Sequence, residues 1–317
     1  MKNWPFFIII ILLFSACGKS TDEEIEDAIL SANISLSAGD CQDAITTLEG
    51  IGRKNKNAVY LKTLASAYAC RAGYSTIEFF TADIANTASP APLGGMSKYT
   101  LAQETFQVPL ENDPKFIDMQ TAINLLLYAG GIASTTEPLS TERAKYFSTS
   151  ELADLNAQLL YLEMVQLGII FKVYGDASAA GVKGGGAGSS TCLTSYSVLN
   201  SAPTLAGACS TINGSHSQTD KTILNDEVTR KRRLCHGVVL MNGVLELFPN
   251  LVTTALPASS QAAATAALTA VNNAKTAAGA IGQVLNTQNQ SACENNTIVS
   301  MANLEAYYAF LMERSFQ

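Results

Sequence analysis

The side chains with chemistry to offer are few: seven cysteines, two histidines and one basic run, beside one glycine-rich stretch. Arg230-Lys231-Arg232-Arg233 would wrap most of one helical turn. It reads either as a solvated face paired with Asp226 and Glu227 or as a docking patch for an acidic partner. His236 follows Cys235 within an apolar turn, as a core or boundary histidine does, and His216 closes a polar stretch, where a solvated ring is expected. Neither has a serine or cysteine partner that the sequence nominates. Gly175–Ser190 follows the apolar Leu167–Phe171, yet Gly175 and Gly181 are six positions apart and Val182 stands before Lys183. The spacing of a phosphate-cradling loop is therefore missing. H-E-x-x-H, G-x-S-x-G and EF-hand patterns are absent, and no C-x-x-C pair occurs to hold zinc. No enzyme activity, metal or cofactor is expected from this inventory.

The elements that must position these residues begin with an address. Met1-Lys2-Asn3 carries one positive charge, Trp4–Phe14 is apolar around Ile8–Ile11, and the small Ser15 and Ala16 precede Cys17. That order is a secretion signal, and the apolar run is shorter than the roughly 20 residues of a permanent span. Leu13-Phe14-Ser15-Ala16-Cys17 resembles the lipobox of bacterial lipoproteins, with Phe14 where leucine is usual. The resemblance implies a diacylglyceryl thioether on Cys17, cleavage before it and acylation of the new amino end. Each buried acyl methylene contributes about 0.8 kcal/mol, so two or three chains anchor stably. Gly18, where an Asp would retain a lipoprotein in the inner membrane of enteric bacteria, implies the outer membrane facing the periplasm.

Loss of residues 1–16 removes one positive charge, Lys2, and takes the formal charge from −7 to −8. An acidic chain is a poor partner for nucleic acid. With Cys17 acylated, Cys41, Cys70, Cys192, Cys209, Cys235 and Cys293 remain, an even number that in an exported chain points to three disulfides. Spacing alone leaves all 15 pairings open. Cys192–Cys209 would close a short loop, and Cys235–Cys293 is what remains once the other two pairs are chosen.

Between Asp22 and about Asn86 the chain repeats itself at 34 residues: Leu30 with Leu64, Ser31 with Ala65, Ile34 with Tyr68, Ala38 with Ala72, Gly39 with Gly73, Ile45 with Phe79. The segment resembles tetratricopeptide repeats, with Gly39-Asp40 as the turn and Ala44 and Leu48 on a second helix. Lys56 stands where the family has proline, and only two copies are visible. The resemblance implies antiparallel neighbouring helices that bring Cys41, at the start of one, to Cys70, near the end of another.

Beyond Thr87 the pattern is helical with breaks. A helix starts at Pro114, carries Phe116, Ile123 and Leu127, and stops at Gly130-Gly131. Ser148-x-x-Glu151 is a capping box opening a helix to about Tyr174, apolar nearly all round from 159 and so central; Glu163, Gln166 and Lys172 argue against a membrane span. Gly175–His216 reads as a long surface insertion. Helices are expected over Asp220–Phe248, ended by Pro249, over the alanine-rich Ser259–Leu285, and over Ile298–Glu313.

The expectation is an all-α chain: a signal at 1–16, a lipidated tether at 17–22, tetratricopeptide-like hairpins at 23–88 and a helical bundle at 89–317 with the insertion at 175–216. Hairpin arrays present binding surfaces. Similar lipoproteins serve envelope assembly and transport, so a lipid-anchored periplasmic scaffold or adaptor with an envelope protein partner is expected. A small-ligand-binding bundle and an envelope enzyme with an unreadable site are the alternatives.

Overall fold

The computed structural model describes residues 21–75, 106–107, 109–178, 181–184, 192–194, 196, 227–254, 269, 273, 280–297 and 299–313. The described residues are all-α, with no strand among them. The signal, Cys17, the second helix of the second repeat copy, Cys209, His216 and most of the alanine-rich segment lie outside them.

Helices α1 (Thr21–Ala38), α2 (Cys41–Gly50) and α3 (Ala58–Arg71) pack on one another in turn. Gly39 and Gly73 both take positive φ, +83° and +93°, so the repeat equivalence holds at the turns, where a Cβ would be strained. It fails at the core: Leu64 is fully buried while Leu30 is 62% exposed, and Ile34 is exposed too. The cause is helical phase. Ile25, Ala28 and Ala32 form the face of α1 that packs inward, and Leu30 and Ile34 point the other way. Cys41 opens α2, Cys70 lies one residue from the end of α3, and they are disulfide-bonded with Cα atoms 5.7 Å apart.

The hairpins run directly into the bundle. α3 packs along α4 (Pro114–Leu127), and Arg71 forks onto both oxygens of Asp118 at 2.6 and 2.8 Å. Asp113 caps α4 by accepting from Lys115 N and Phe116 N, which frees Pro114 for the first turn. After the short α5 (Ser140–Arg143), the capping box at Ser148 and Glu151 opens α6 (Thr149–Tyr174). α6 is the one described helix long and apolar enough to cross a membrane. It is instead the core of the bundle, packed against α3, α4 and α7 (Glu227–Thr254).

Helix α7 continues through Pro249 instead of ending there. Proline removes one helical hydrogen bond, at a cost of about 3 kcal/mol. Burial of Val244 and Leu247 in the core holds the turn before it. Two glycines set how closely α7 meets its neighbours. A Cβ at Gly237 would stand 2.1 Å from the Tyr308 hydroxyl, and one at Gly243 would stand 2.4 Å from Glu163 Oε1.

The C-terminal elements are α8 (Ala280–Leu285), α9 (Gln290–Asn295) and α10 (Met301–Tyr307), which runs into a π turn at Tyr308–Met312. Met301, Leu304 and Tyr308 are buried, as their spacing requires. α9 is an element that the hydrophobic pattern does not announce; Asn289 starts it by accepting from Ala292 N. Cys235–Cys293 ties α9 to α7, Cα to Cα 5.7 Å. Cys192 is also disulfide-bonded.

The described part of the 175–216 segment is not wholly surface: Val182 is exposed, but much of the rest is anchored in the core. Lys183, Cys192, Leu193, Thr194 and Tyr196 are buried. Lys183 pairs with Glu313, both without exposed side-chain surface, and Glu313 also accepts from Tyr196 at 2.6 Å and from Leu193 N at 2.7 Å. A buried lysine costs little only when paired in this way. Glycine and serine content says nothing of such an anchor.

Candidate functional site

Between α4, α6, α7 and α9 lies a cavity of about 380 Å³, within the size range of small-molecule sites. Its apolar lining comes from Ile123, Leu127, Val239 and Leu240; Gln120, Asn124, Gln290 and Asn295 add amides. Two titratable side chains reach it from the interior, Glu163 on α6 and His236 on α7.

Glu163 is 1% exposed, and its Oε2 has no hydrogen-bond partner among the described residues. It lies where an apolar α6 meets the glycine of α7, so any side chain at position 243 would collide with the carboxylate. Burial raises its pKa well above the ordinary carboxylate range; Arg143 opposes the shift and Glu246 adds to it. Arg143 has no exposed surface and is held by its own partners. It donates to Leu127 O at 3.3 Å, to Pro138 O, and to Asn156 Oδ1 at 3.0 and 3.2 Å, and it faces Glu246 at 3.7 Å. Burial lowers the Arg143 pKa, with Glu246 and Glu163 acting against that.

His236 keeps some accessible surface, but its Nε2 is buried without a partner. The ring lies 5.2 Å from that of Phe116, tilted. It separates the main cavity from a smaller one of about 50 Å³ lined by Phe116, Ile170 and Tyr174. Burial lowers its pKa to about 4, so the imidazole is neutral at physiological pH.

The cavity wall is built to hold position. Asn289 donates to Ser134 O, to Thr136 O at 2.8 Å and to the Tyr128 hydroxyl at 3.2 Å, which fixes α9 against the segment after α4. Gln290 donates to Arg232 O at 3.0 Å, and the Cys235–Cys293 bond fastens the same two helices.

The basic run is distributed across this architecture. Arg230 meets Glu305 at 3.3 Å, Arg232 meets Glu294 at 3.6 Å, and Arg233 meets Glu111 at 3.3 Å while stacking on Tyr174 at 4.2 Å. Lys231 reaches Asn296 O at 3.4 Å. Among the described residues the run is thus not one free docking patch but is shared out among separate partners, and Asp226 lies outside those residues. A helix turns four consecutive side chains through most of a circle, and each meets a different neighbour. Only Arg232 borders the cavity. In the sequence Glu163 counts only against a membrane span, and nothing there announces the cavity or Arg143; a carboxylate within an apolar helix is the one available signal. Among the described residues no cluster of three or more metal-ligating side chains occurs.

Comparison with protein-family models, curated proteins and solved structures found no match.

Opposite pH dependences follow from the two buried groups. Glu163 has a raised folded pKa, so its contribution to stability is present below the unfolded value and is lost as pH rises through the folded one. His236 has a lowered folded pKa, so stability falls as pH drops from the ordinary value of 6.5 towards about 4, by up to about 3 kcal/mol. Denaturant unfolding from pH 4 to 8 is expected to show Glu163→Gln gaining on the wild type as pH rises. His236→Gln is expected to flatten the acid limb. Variant curves parallel to the wild type would contradict both assignments.

Proposed function

We propose that the chain is a lipid-anchored protein of the bacterial envelope, held on the membrane through Cys17, whose helical bundle binds a small ligand in the cavity between α4, α6, α7 and α9. The lipobox-like segment supports the anchor, and Gly18 supports the outer membrane facing the periplasm. The observation that carries the ligand reading is Glu163: a carboxyl 1% exposed, lining a cavity of about 380 Å³, with an oxygen left without a hydrogen-bond partner among the described residues. An unmet buried acceptor costs about 1–3 kcal/mol, more when charged, and a bound partner would recover that cost. Val239→Trp fills the cavity from α7. It is expected to abolish the rise in Tm that small organic ligands give the wild type in a thermal-shift screen, while unfolding stays cooperative. A variant that responds like the wild type would place the ligand elsewhere.

The exposed face of α1 favours a second reading, an adaptor for an envelope protein. Leu30 and Ile34 are 62% and 64% exposed and stand one turn apart, in hairpins braced by Cys41–Cys70. In gentle detergent extracts an envelope protein should then co-purify in fixed stoichiometry and be lost from the Leu30→Glu, Ile34→Glu double variant. Equal recovery with both chains would rule this face out.

A further inference from the structure

The charges around the cavity restrict what it can hold. At its mouth Arg232 and Glu294 pair at 3.6 Å and cancel. His236 is neutral and presents an unpartnered Nε2. Arg143, the buried cation whose charge acts on Glu163, is engaged by two carbonyls, Asn156 and Glu246 and does not line the cavity. Among the described residues, the group left for a ligand to answer is the Glu163 carboxyl, with Oε2 unpaired beside apolar Ile123, Leu127, Val239 and Leu240. An ammonium group carries three donors and no acceptor, which suits a site whose deep polar atoms lack donors.

Resting on the ligand-binding reading, we infer that the cavity takes a small organic cation, an ammonium group on an apolar body, with the ammonium paired to Glu163 and its body against the α4 and α7 side chains. In the empty cavity burial favours the protonated acid. When the ammonium enters, protonated Glu163 gives its proton to solvent and the carboxylate pairs with the cation, so binding releases protons. Among the described residues, the charged and titratable groups around Glu163 and its cavity are Arg143 from α5, Glu246 and His236 from α7, Tyr128 at the end of α4, a phenol whose pKa burial raises, and the Arg232–Glu294 pair at the mouth. His236 is already neutral above about pH 4, and Arg143 keeps its charge throughout. The pH dependence of binding above pH 5 therefore belongs to Glu163.

The test is calorimetry on the full-length protein with benzylamine and cyclohexylamine against benzyl alcohol and cyclohexanol, in buffers of differing ionisation enthalpy. The amines should bind about tenfold or more tightly than the alcohols, with affinity rising from pH 5 to 8 and protons released. Glu163→Gln, which keeps the volume and removes the charge, should abolish that preference while the alcohols still bind. Alcohols binding as tightly as amines, or Glu163→Gln binding amines as the wild type does, would overturn the cation assignment and leave the ligand-binding reading standing. A folded wild type that binds none of the four would overturn both.

Discussion

Where α6 crosses α7, a carboxylate takes the place of a hydrocarbon side chain, and much of the bundle is arranged around that choice. Glu163 fits there because position 243 is glycine; any Cβ would occupy the same space as its oxygens. Removing a carboxylate from water is costly, and a fully paired buried charge commonly does no better than a well-packed apolar side chain. A protein selected for stability alone would gain from leucine at 163. Arg143 moderates the cost without removing it, because its hydrogen bonds go to Leu127, Pro138 and Asn156.

Around that crossing the remaining elements are fastened by polar pins. Asn242 on α7 donates to Val284 O and Thr287 O, both at 2.7 Å, and accepts from Tyr307 at 2.9 Å, which joins α8 and α10 to the core. Lys183 and Glu313 anchor the glycine-rich segment beside the π turn. Asn289 and the Cys235–Cys293 bond keep α9 standing off α4 and α6. With α9 braced from both sides, the space above Glu163 cannot simply collapse, and rigid walls of this kind reduce the cost of ordering a site on binding. The same bracing links the hairpins to the bundle through Arg71 and Asp118.

Local signals carried the fold well where local chemistry decides it. The Ser148–Glu151 box and Pro114 mark helix starts correctly, and Gly39 and Gly73 mark turns. Cys41 and Cys70 are bonded as expected, the start of α2 lying against the end of α3. What stayed hidden depends on distant partners. Arg230–Arg233 form one basic word in the sequence, yet their acidic partners are Glu111, Glu294 and Glu305, far along the chain. Pro249 is tolerated through tertiary packing, which outweighs propensity. Leu30 looked equivalent to Leu64 by spacing, but the two helices bury different faces. The cavity was not legible at all: it needs α9, which is one short helix without an apolar stripe, placed opposite Glu163.

Cation binding in this cavity turns on the protonation state of one side chain, Glu163. The direct measurement is the titration of the Glu163 carboxyl in the full-length protein, by infrared spectroscopy with ¹³C-labelled glutamate, the signal being assigned by its loss in Glu163→Gln. Glu163 is expected to ionise well above the ordinary carboxylate range when the cavity is empty and to become a carboxylate when a small amine is added. A Glu163 that titrates with the exposed glutamates and ignores the amine would contradict it.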